Sequence, residues 1–232
     1  PMNGCEQVAQ TMLVQDMMKK NNYLSALGFN MGLGGAHISR TMMLDELNIL
    51  LAHTSRIDAE KKEYLHAIIA ETCLGKRSAK TRALTGRYLV DLYSLDNKNI
   101  LFRALLYFWN RDTVARPLLA LLCAYARDPV LRVAAYYILN IPEGTVLIRE
   151  SLEEFIDAQK PGRFSKATLK STAQNINATW TKSGHLNGRA KKVRGRATPT
   201  AASVSYALFL GYLTVLRVKT LIQSEYGKLL DC

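Results

Sequence analysis

The sequence predicts an all-α protein built as two helical lobes. Apolar side chains recur at helical spacing along most of the 232 residues, and strand-type alternation is nearly absent. Capping residues precede many of these runs, while glycine or proline marks their ends and first turns. Hydrophobic residues make up 48% of the chain, enough to bury a core. We expect an N-terminal lobe over residues 1–140 and a basic C-terminal lobe over residues 141–232.

Seven helices are predicted in the N-terminal lobe. Asp58 and Ser78 are candidate N-caps for the third and fourth of them. The glycine-rich loop Gly28–Gly35 lacks the lysine and the preceding apolar strand of a phosphate-binding loop, so we interpret it as a connector. The predicted helices are Pro1–Asn22, Ile38–His53, Ala59–Leu74, Ala79–Leu95, Asn99–Asn110, Asp112–Arg127 and Pro129–Asn140.

The C-terminal lobe is predicted to begin with a helix-turn-helix. Thr145 and Ser165 are the candidate N-caps of its two helices, and a Lys-Pro-Gly turn separates them. A polar, basic and glycine-containing segment follows and is a candidate wing. Thr198 and Pro199 are interpreted as the cap and first-turn proline of a last helix. The predicted ranges are Thr145–Gln159, Ser165–Ser183, the wing His185–Thr198, and a helix to about Leu216.

Positive charge is concentrated in the C-terminal third of the chain. The protein has 31 Lys and Arg against 19 Asp and Glu, a net charge of +12. No acidic residue occurs between Ala158 and Ser224, and the twelve basic residues of that stretch equal the whole excess. A segregated positive field indicates a polyanionic partner. Nucleic acid is the predicted partner; an acidic protein, an anionic lipid surface, or no specific partner stay open.

The second helix of the C-terminal unit is predicted to present polar side chains to double-stranded DNA. Its apolar stripe runs from Leu169 to Trp180 and should face inward. Short polar side chains on the other side suit base edges, and lysines suit phosphates. The segment Arg189–Arg196 is predicted to act as a flexible wing, although a solvated helix face and a basic loop are the plainer alternative. The candidate DNA-binding residues are Lys166, Lys170, Ser171, Gln174, Asn175, Lys182, Arg189, Lys191, Lys192, Arg194 and Arg196, with Asn177 beside the first two lysines.

A second helix-turn-helix is predicted near residues 60–95. The tight turn Gly75–Ser78 opens the helix Ala79–Leu95, whose first amides can bind a phosphate. Residues 72–90 contain five cations and no acid. A helix hairpin of the core with exposed cations is the alternative. The candidate DNA-binding residues are Lys76, Arg77, Lys80 and Arg87, and the predicted buried stripe is Leu84, Tyr88 and Leu92.

Signals for catalysis, metals and membranes are weak. The four histidines are far apart, and the four cysteines form no Cys-x-x-Cys pair. We therefore predict no enzymatic activity, metal or cofactor; a Cys-His nucleophile pair stays open. The apolar run Ala207–Leu216 is short of the roughly 20 residues that cross a membrane, and Pro1–Lys20 lacks a signal-peptide pattern. These features predict a cytoplasmic protein without a membrane partner.

Three short motifs, spread over most of Gly28–Leu216, carry a family resemblance. They are Gly34–Gly35 before a helix with Arg40, Leu44 and Leu47, the turn Lys76–Ala79 before an Arg- and Leu-containing helix, and the stretch Ser165–Leu186. The last is the most specific of the three. With these motifs the chain resembles the BrxA family, the small all-helical core proteins of BREX phage-resistance systems.

The resemblance implies two helix-turn-helix units beside positive surfaces, binding of double-stranded DNA, and no known catalytic activity. It also implies that other BREX components, including a methyltransferase, act in the same pathway. The residues alone leave two alternatives open. One is a scaffold whose basic face docks an acidic partner protein, and the other is an RNA-binding helical module.

Overall fold

The computed structural model describes residues 15–16, 18–32, 34–54, 56, 58–214, 221 and 223–231. The described chain is predominantly helical and contains one small antiparallel sheet. This confirms the predicted all-α class. The predicted helix Pro1–Asn22 lies largely outside the described residues, although residues 18–26 are helical and are named α1 here.

Six further helices and one short 3₁₀ helix complete the N-terminal part. Their boundaries follow the predicted periodicity, with most ends displaced by one to six residues. The elements are the 3₁₀ helix Ala36–Ile38, α2 Leu44–His53, α3 Lys61–Ile69, α4 Ala79–Tyr93, α5 Ile100–Trp109, α6 Arg116–Arg127 and α7 Pro129–Leu139.

Side-chain caps fix where several of these helices begin. The Ser78 hydroxyl accepts a hydrogen bond from the Thr81 amide, so the predicted cap of α4 is confirmed. The predicted Asp58 cap is wrong, because Glu60 and Glu63 form a capping box at the start of α3. The predicted tight turn after α3 is also wrong. The helix ends at Ile69, and a connector over 70–78 follows, in which backbone at Thr72 takes a left-handed conformation.

The C-terminal part contains three short strands that the sequence analysis did not predict. Strand β3 is central; Val193 pairs with Val146 of β1, and Arg194 pairs with Leu186 of β2. Thr145 is therefore not a helix cap, because the chain is extended through β1 before the next helix starts. The elements are β1 Val146–Leu147, α8 Arg149–Gln159, α9 Lys166–Lys182, β2 Leu186–Asn187, β3 Lys192–Arg194, α10 Ala201–Leu213 and α11 Glu225–Lys228.

One hydrophobic cluster runs through the described residues from Leu24 to Leu230. Helix α10 packs against α5 and α6, and the Tyr206 hydroxyl donates to the Leu101 carbonyl at 3.0 Å. Thr200, rather than Thr198, caps α10. The division into lobes at residues 1–140 and 141–232 stays a prediction, but α10 lies against helices from the other side of that boundary.

Candidate nucleic-acid interface

Helices α8 and α9 contact each other and are joined by a short turn. Gly162 adopts a φ of +73° in this turn, a conformation that glycine takes without strain. The Ser165 hydroxyl then accepts from the Thr168 amide at 3.2 Å, which confirms the predicted cap of α9. The turn also carries two exposed cations, Lys160 and Arg163, that were not among the predicted contacts. Their position in the sequence directly before α9 could have identified them as candidate DNA contacts.

The predicted inner face of α9 is confirmed, since the stripe from Leu169 to Trp180 is buried. The exposed line on one flank of this stripe consists of Lys166, Lys170 and Gln174, spaced four residues apart. Neither lysine has an ion-pair partner within 4 Å among the described residues. Three predicted contacts on α9 therefore share one accessible face toward its N-terminal half.

The C-terminal half of α9 is covered by a segment from the other end of the chain. The Asn175 side chain donates to the His37 carbonyl at 3.2 Å, and Lys182 is ion-paired with Asp45. Asn177, predicted beside the exposed lysines, is buried. Asn175 and Lys182 thus already have partners in the 3₁₀ helix and α2, and their roles in DNA contact stay predictions.

Ser171 is only partly accessible on the same helix. Its hydroxyl donates to the Thr168 carbonyl within the helix at 3.0 Å, and its side chain is half-buried. A hydroxyl bonded to its own helix backbone is less free to read a base edge. Gln174 is thus the accessible amide of the predicted set.

A buried polar chain fixes α9 against the 3₁₀ helix and α7. Asp128 accepts from the His37 ring at Nδ1, 2.7 Å away, and from the His37 amide at 2.8 Å. The carboxylate can only accept, so Nδ1 donates to it, and Nε2 forms a hydrogen bond with the Thr179 hydroxyl at 2.9 Å. Thr179 in turn accepts from the Met42 amide. Every member of this chain is satisfied, which gives α9 one position relative to α7.

The hairpin formed by β2 and β3 carries the predicted wing cations. Arg189 and Lys191 are exposed and have no ion-pair or hydrogen-bond partner in the described chain. Lys192 is half-buried and donates to the Gly188 carbonyl, whereas Arg196 is exposed and donates to the Asp231 carbonyl. The predicted wing thus forms a β-hairpin, and its two cations nearest the tip have no partner in the described chain.

Arg194 is not a surface cation, so its predicted role in DNA contact is wrong. Its side chain is 6% exposed and donates to both carboxylate oxygens of Asp231, at 2.5 and 3.0 Å. It also donates to the His185 carbonyl. Asp231 additionally accepts from the Ala197 amide. The guanidinium therefore anchors the hairpin to the segment after α11.

His185 joins the hairpin to α11 from inside the core. Its Nε2 donates to the Leu229 carbonyl at 2.9 Å, which leaves Nδ1 to accept from the Ser183 hydroxyl at 2.8 Å. The ring also packs edge-on against Trp180 of α9. Burial lowers the pKa of His185 from 6.5 to about 4, although the charge of Asp231 acts in the opposite direction. The neutral ring is the form that the fold accommodates.

We expect the stability of the protein to fall as the pH drops from about 7 to 4. Because the pKa of His185 is about 4 in the folded state and 6.5 as a reference, the unfolded chain binds more protons in that window. This difference in the pKa of His185 lowers the free energy of unfolding by about 3 kcal/mol between pH 7 and pH 4. His185→Gln keeps a donor for Leu229 but does not titrate there, so its urea unfolding should lose less stability over the same range. Parallel losses for both proteins would contradict this assignment.

The second candidate unit, α3 and α4, retains part of its predicted surface. Arg77 and Lys80 are exposed and have no partner in the described chain, and Arg87 lies over the Tyr88 ring at 5.4 Å. Lys76 is ion-paired with Glu46 at 3.1 Å, and its role in DNA contact stays a prediction. The predicted stripe is displaced, since only Leu92 of its members is fully buried. Leu84 and Tyr88 are half-buried, and the buried residues of α4 are Thr85, Gly86, Leu89, Leu92 and Tyr93.

Neither a metal centre nor a membrane span is found in the part of the chain that the structure describes. No group of three or more His, Cys, Asp or Glu there could hold a metal ion. Among those residues, no helix combines the length and the hydropathy needed to cross a bilayer.

Comparison with known proteins does not assign the chain to a family. No protein-family model matches the chain, and no curated protein matches it in sequence. The resemblance to the BrxA family therefore stays a prediction. Function has to be inferred from the arrangement of α9, the hairpin and α4.

Proposed function

We propose that the protein binds double-stranded DNA without catalysing a reaction, as a component of a BREX-type phage-defence system. One observation carries the DNA part: exposed cations without partners lie on the N-terminal half of α9 and on the hairpin, within a stretch that has no acidic residue. The phage-defence setting, with other BREX components as partners, rests on the family resemblance alone.

The order of the elements supports this proposal. Helix α7, β1, α8, α9 and the β2–β3 hairpin follow one another, and β3 lies between β1 and β2. A helix-turn-helix with a wing would have this order of elements, and α9 would be its recognition helix. Recognition helices contact base edges mainly through their N-terminal residues. In α9 that half is accessible, whereas the C-terminal half is covered.

The accessible residues can then be given roles. Lys166 and Lys170 suit phosphate contacts beside α9, and Gln174 suits a base edge, with adenine the natural partner for a side-chain amide. Arg189 and Lys191 suit phosphates or the adjacent groove. Arg77, Lys80 and Arg87 of the second unit would extend the contact to further phosphates.

A salt series with a labelled duplex of about 30 base pairs, roughly three helical turns, tests the proposal. The test variant replaces four cations with alanine: Lys166, Lys170, Arg189 and Lys191. We expect it to bind the duplex more weakly and to reduce the slope of log K against log salt by about 3–4, because four phosphate contacts are lost. The matched control removes four exposed cations outside both candidate units, which are Lys19, Lys98, Arg103 and Lys228. Its slope should stay close to that of the wild type.

The same titration separates the alternatives. An unchanged slope in the α9 and hairpin variant would remove this surface from the proposal. RNA of equal length that binds as tightly as the duplex would favour an RNA-binding module, and weak binding to both would favour an acidic protein partner. Gln174→Ala should change the ratio between duplexes of different sequence only if the protein reads bases there.

A further inference from the structure

An apolar groove lies between α7, β1 and α8, separate from the proposed DNA surface. Its volume is about 340 Å³. Tyr136 is 71% exposed and Ile148 is 58% exposed, and the Tyr136 ring stacks on Phe155 with centroids 6.3 Å apart. Val146 and Ile141 complete the apolar lining. Large apolar side chains that lie together on a surface mark interaction sites more often than scattered ones do.

The segment that contributes β1 and α8 to the groove, called its rim here, is acidic in an otherwise basic protein. Residues 143–157 contain five carboxylates and one cation, Arg149, which is ion-paired with Glu150 and Glu153. Glu143 and Glu154 are exposed and have no cation or hydrogen-bond partner in the described chain. They adjoin the groove residues Pro142 and Phe155 in the sequence. The surplus negative charge therefore lies on exposed residues that are next in sequence to residues lining the groove.

Other groups near the rim do not cancel this charge. Lys170 of α9 contributes a minor attraction to Glu150, whose pKa is lowered mainly by a backbone hydrogen bond and by Arg149. Asp157, further along α8, accepts from the Gly162 amide, which carries no full charge. A nucleic acid would be repelled here, because its phosphates would approach unpaired carboxylates.

We infer that this groove docks a segment of another protein in which apolar side chains are flanked by lysine or arginine. Tyr136, Ile148 and Phe155 receive the apolar side chains, and Glu143 and Glu154 face the flanking cations. Charge complementarity selects this partner over nucleic acid or an acidic segment. The inference is independent of the DNA proposal, since none of these residues belongs to the DNA surface.

Three labelled, end-capped peptides test the chemistry of the partner by fluorescence anisotropy. KKLFLKK combines cations with apolar anchors, EELFLEE reverses the charge, and KKSGSKK keeps the charge without the anchors. We expect the first to bind the full chain about ten-fold or more tightly than the others. Ile148→Asp should reduce that affinity by about ten-fold or more. This variant should still fold, because Ile148 is the N-cap of α8, where aspartate is favoured.

Controls separate the groove from general surface effects. Tyr212→Ala removes an aromatic side chain that is 64% exposed on α10 and should leave peptide binding unchanged. Glu143→Gln with Glu154→Gln should weaken KKLFLKK binding and reduce its salt dependence. Equal binding of KKLFLKK and KKSGSKK, or no effect of Ile148→Asp, would overturn the inference. So would a concentration-dependent dimer that Ile148→Asp abolishes, because a second copy would then occupy the groove.

The duplex titration keeps the two proposals distinguishable. We expect Ile148→Asp to bind duplex DNA as the wild type does, and the α9 and hairpin variant to bind KKLFLKK as the wild type does. If Ile148→Asp weakened both ligands equally while its thermal melt was unchanged, the groove could not be a separate site, and the inference would be overturned.

Discussion

Asp231→Asn is expected to lower the free energy of unfolding by about 3–5 kcal/mol, the usual cost of removing one partner of a buried ion pair. The pair is nearly inaccessible, with Arg194 6% and Asp231 10% exposed. Without the carboxylate charge the Arg194 guanidinium would stay buried and uncompensated. Asparagine tolerates the left-handed backbone of residue 231, where φ is 54°, so the loss reports the charge rather than backbone strain. Urea unfolding at neutral pH measures it.

Two comparisons make this result specific. Asp91→Asn changes an exposed carboxylate that forms no ion pair within 4 Å in the described chain, and it keeps the carbonyl that accepts from Arg127, so it should stay within about 0.5 kcal/mol of the wild type. Arg194→Met combined with Asp231→Asn removes both charges, keeps a residue that tolerates the left-handed backbone at position 231, and should recover much of the lost stability. A loss below about 1 kcal/mol in Asp231→Asn would show that the pair does not anchor the hairpin.

Asp128→Ala is expected to cost a similar amount, about 3–5 kcal/mol. The carboxylate accepts from four donors: the amide and ring of His37 and the amides of Val130 and Leu131. Alanine would leave these donors without their acceptor inside the core and would remove the cap of α7. The expected loss is again measured by urea unfolding, with Asp91→Ala as the exposed control.

The effect should extend to the position of α9. Thr179→Val keeps the side-chain volume but removes the hydroxyl that links Met42 to His37, so we expect a smaller loss of about 1–3 kcal/mol. Gly35→Ala should disturb the same cluster, since a Cβ there would lie 1.9 Å from Asp128 Oδ1. Stability unchanged in all three variants would mean that the buried chain does not hold α9.

Local signals predicted much of the fold correctly. Ser78 and Ser165 cap α4 and α9 as expected, because a hydroxyl that satisfies a free amide depends only on residues three positions apart. The apolar stripe of α9 is buried as its spacing predicts. The strands escaped prediction because two or three residues are too few to show alternation.

Contacts between distant segments could not be predicted in this way. Asn175 and Lys182 were interpreted as free polar groups, but their partners His37 and Asp45 are 138 and 137 residues away. Arg194 lies in the basic segment Arg189–Arg196, and the number of cations in that segment does not show that the Arg194 side chain is buried. Exposed cations such as Lys166 and Lys191, on which the proposed function rests, could be predicted from the local sequence because they make no contact with a distant segment.

The buried link between His37 and Thr179 also constrains the order in which the protein folds. It joins segments 142 residues apart, so its formation closes a long loop and costs chain entropy. Helix α9 can form early from its own hydrogen bonds, yet it reaches its final orientation only after this closure. During synthesis the candidate recognition helix would therefore become competent late, and amide exchange should show α9 and the segment near His37 opening together as one cooperative unit.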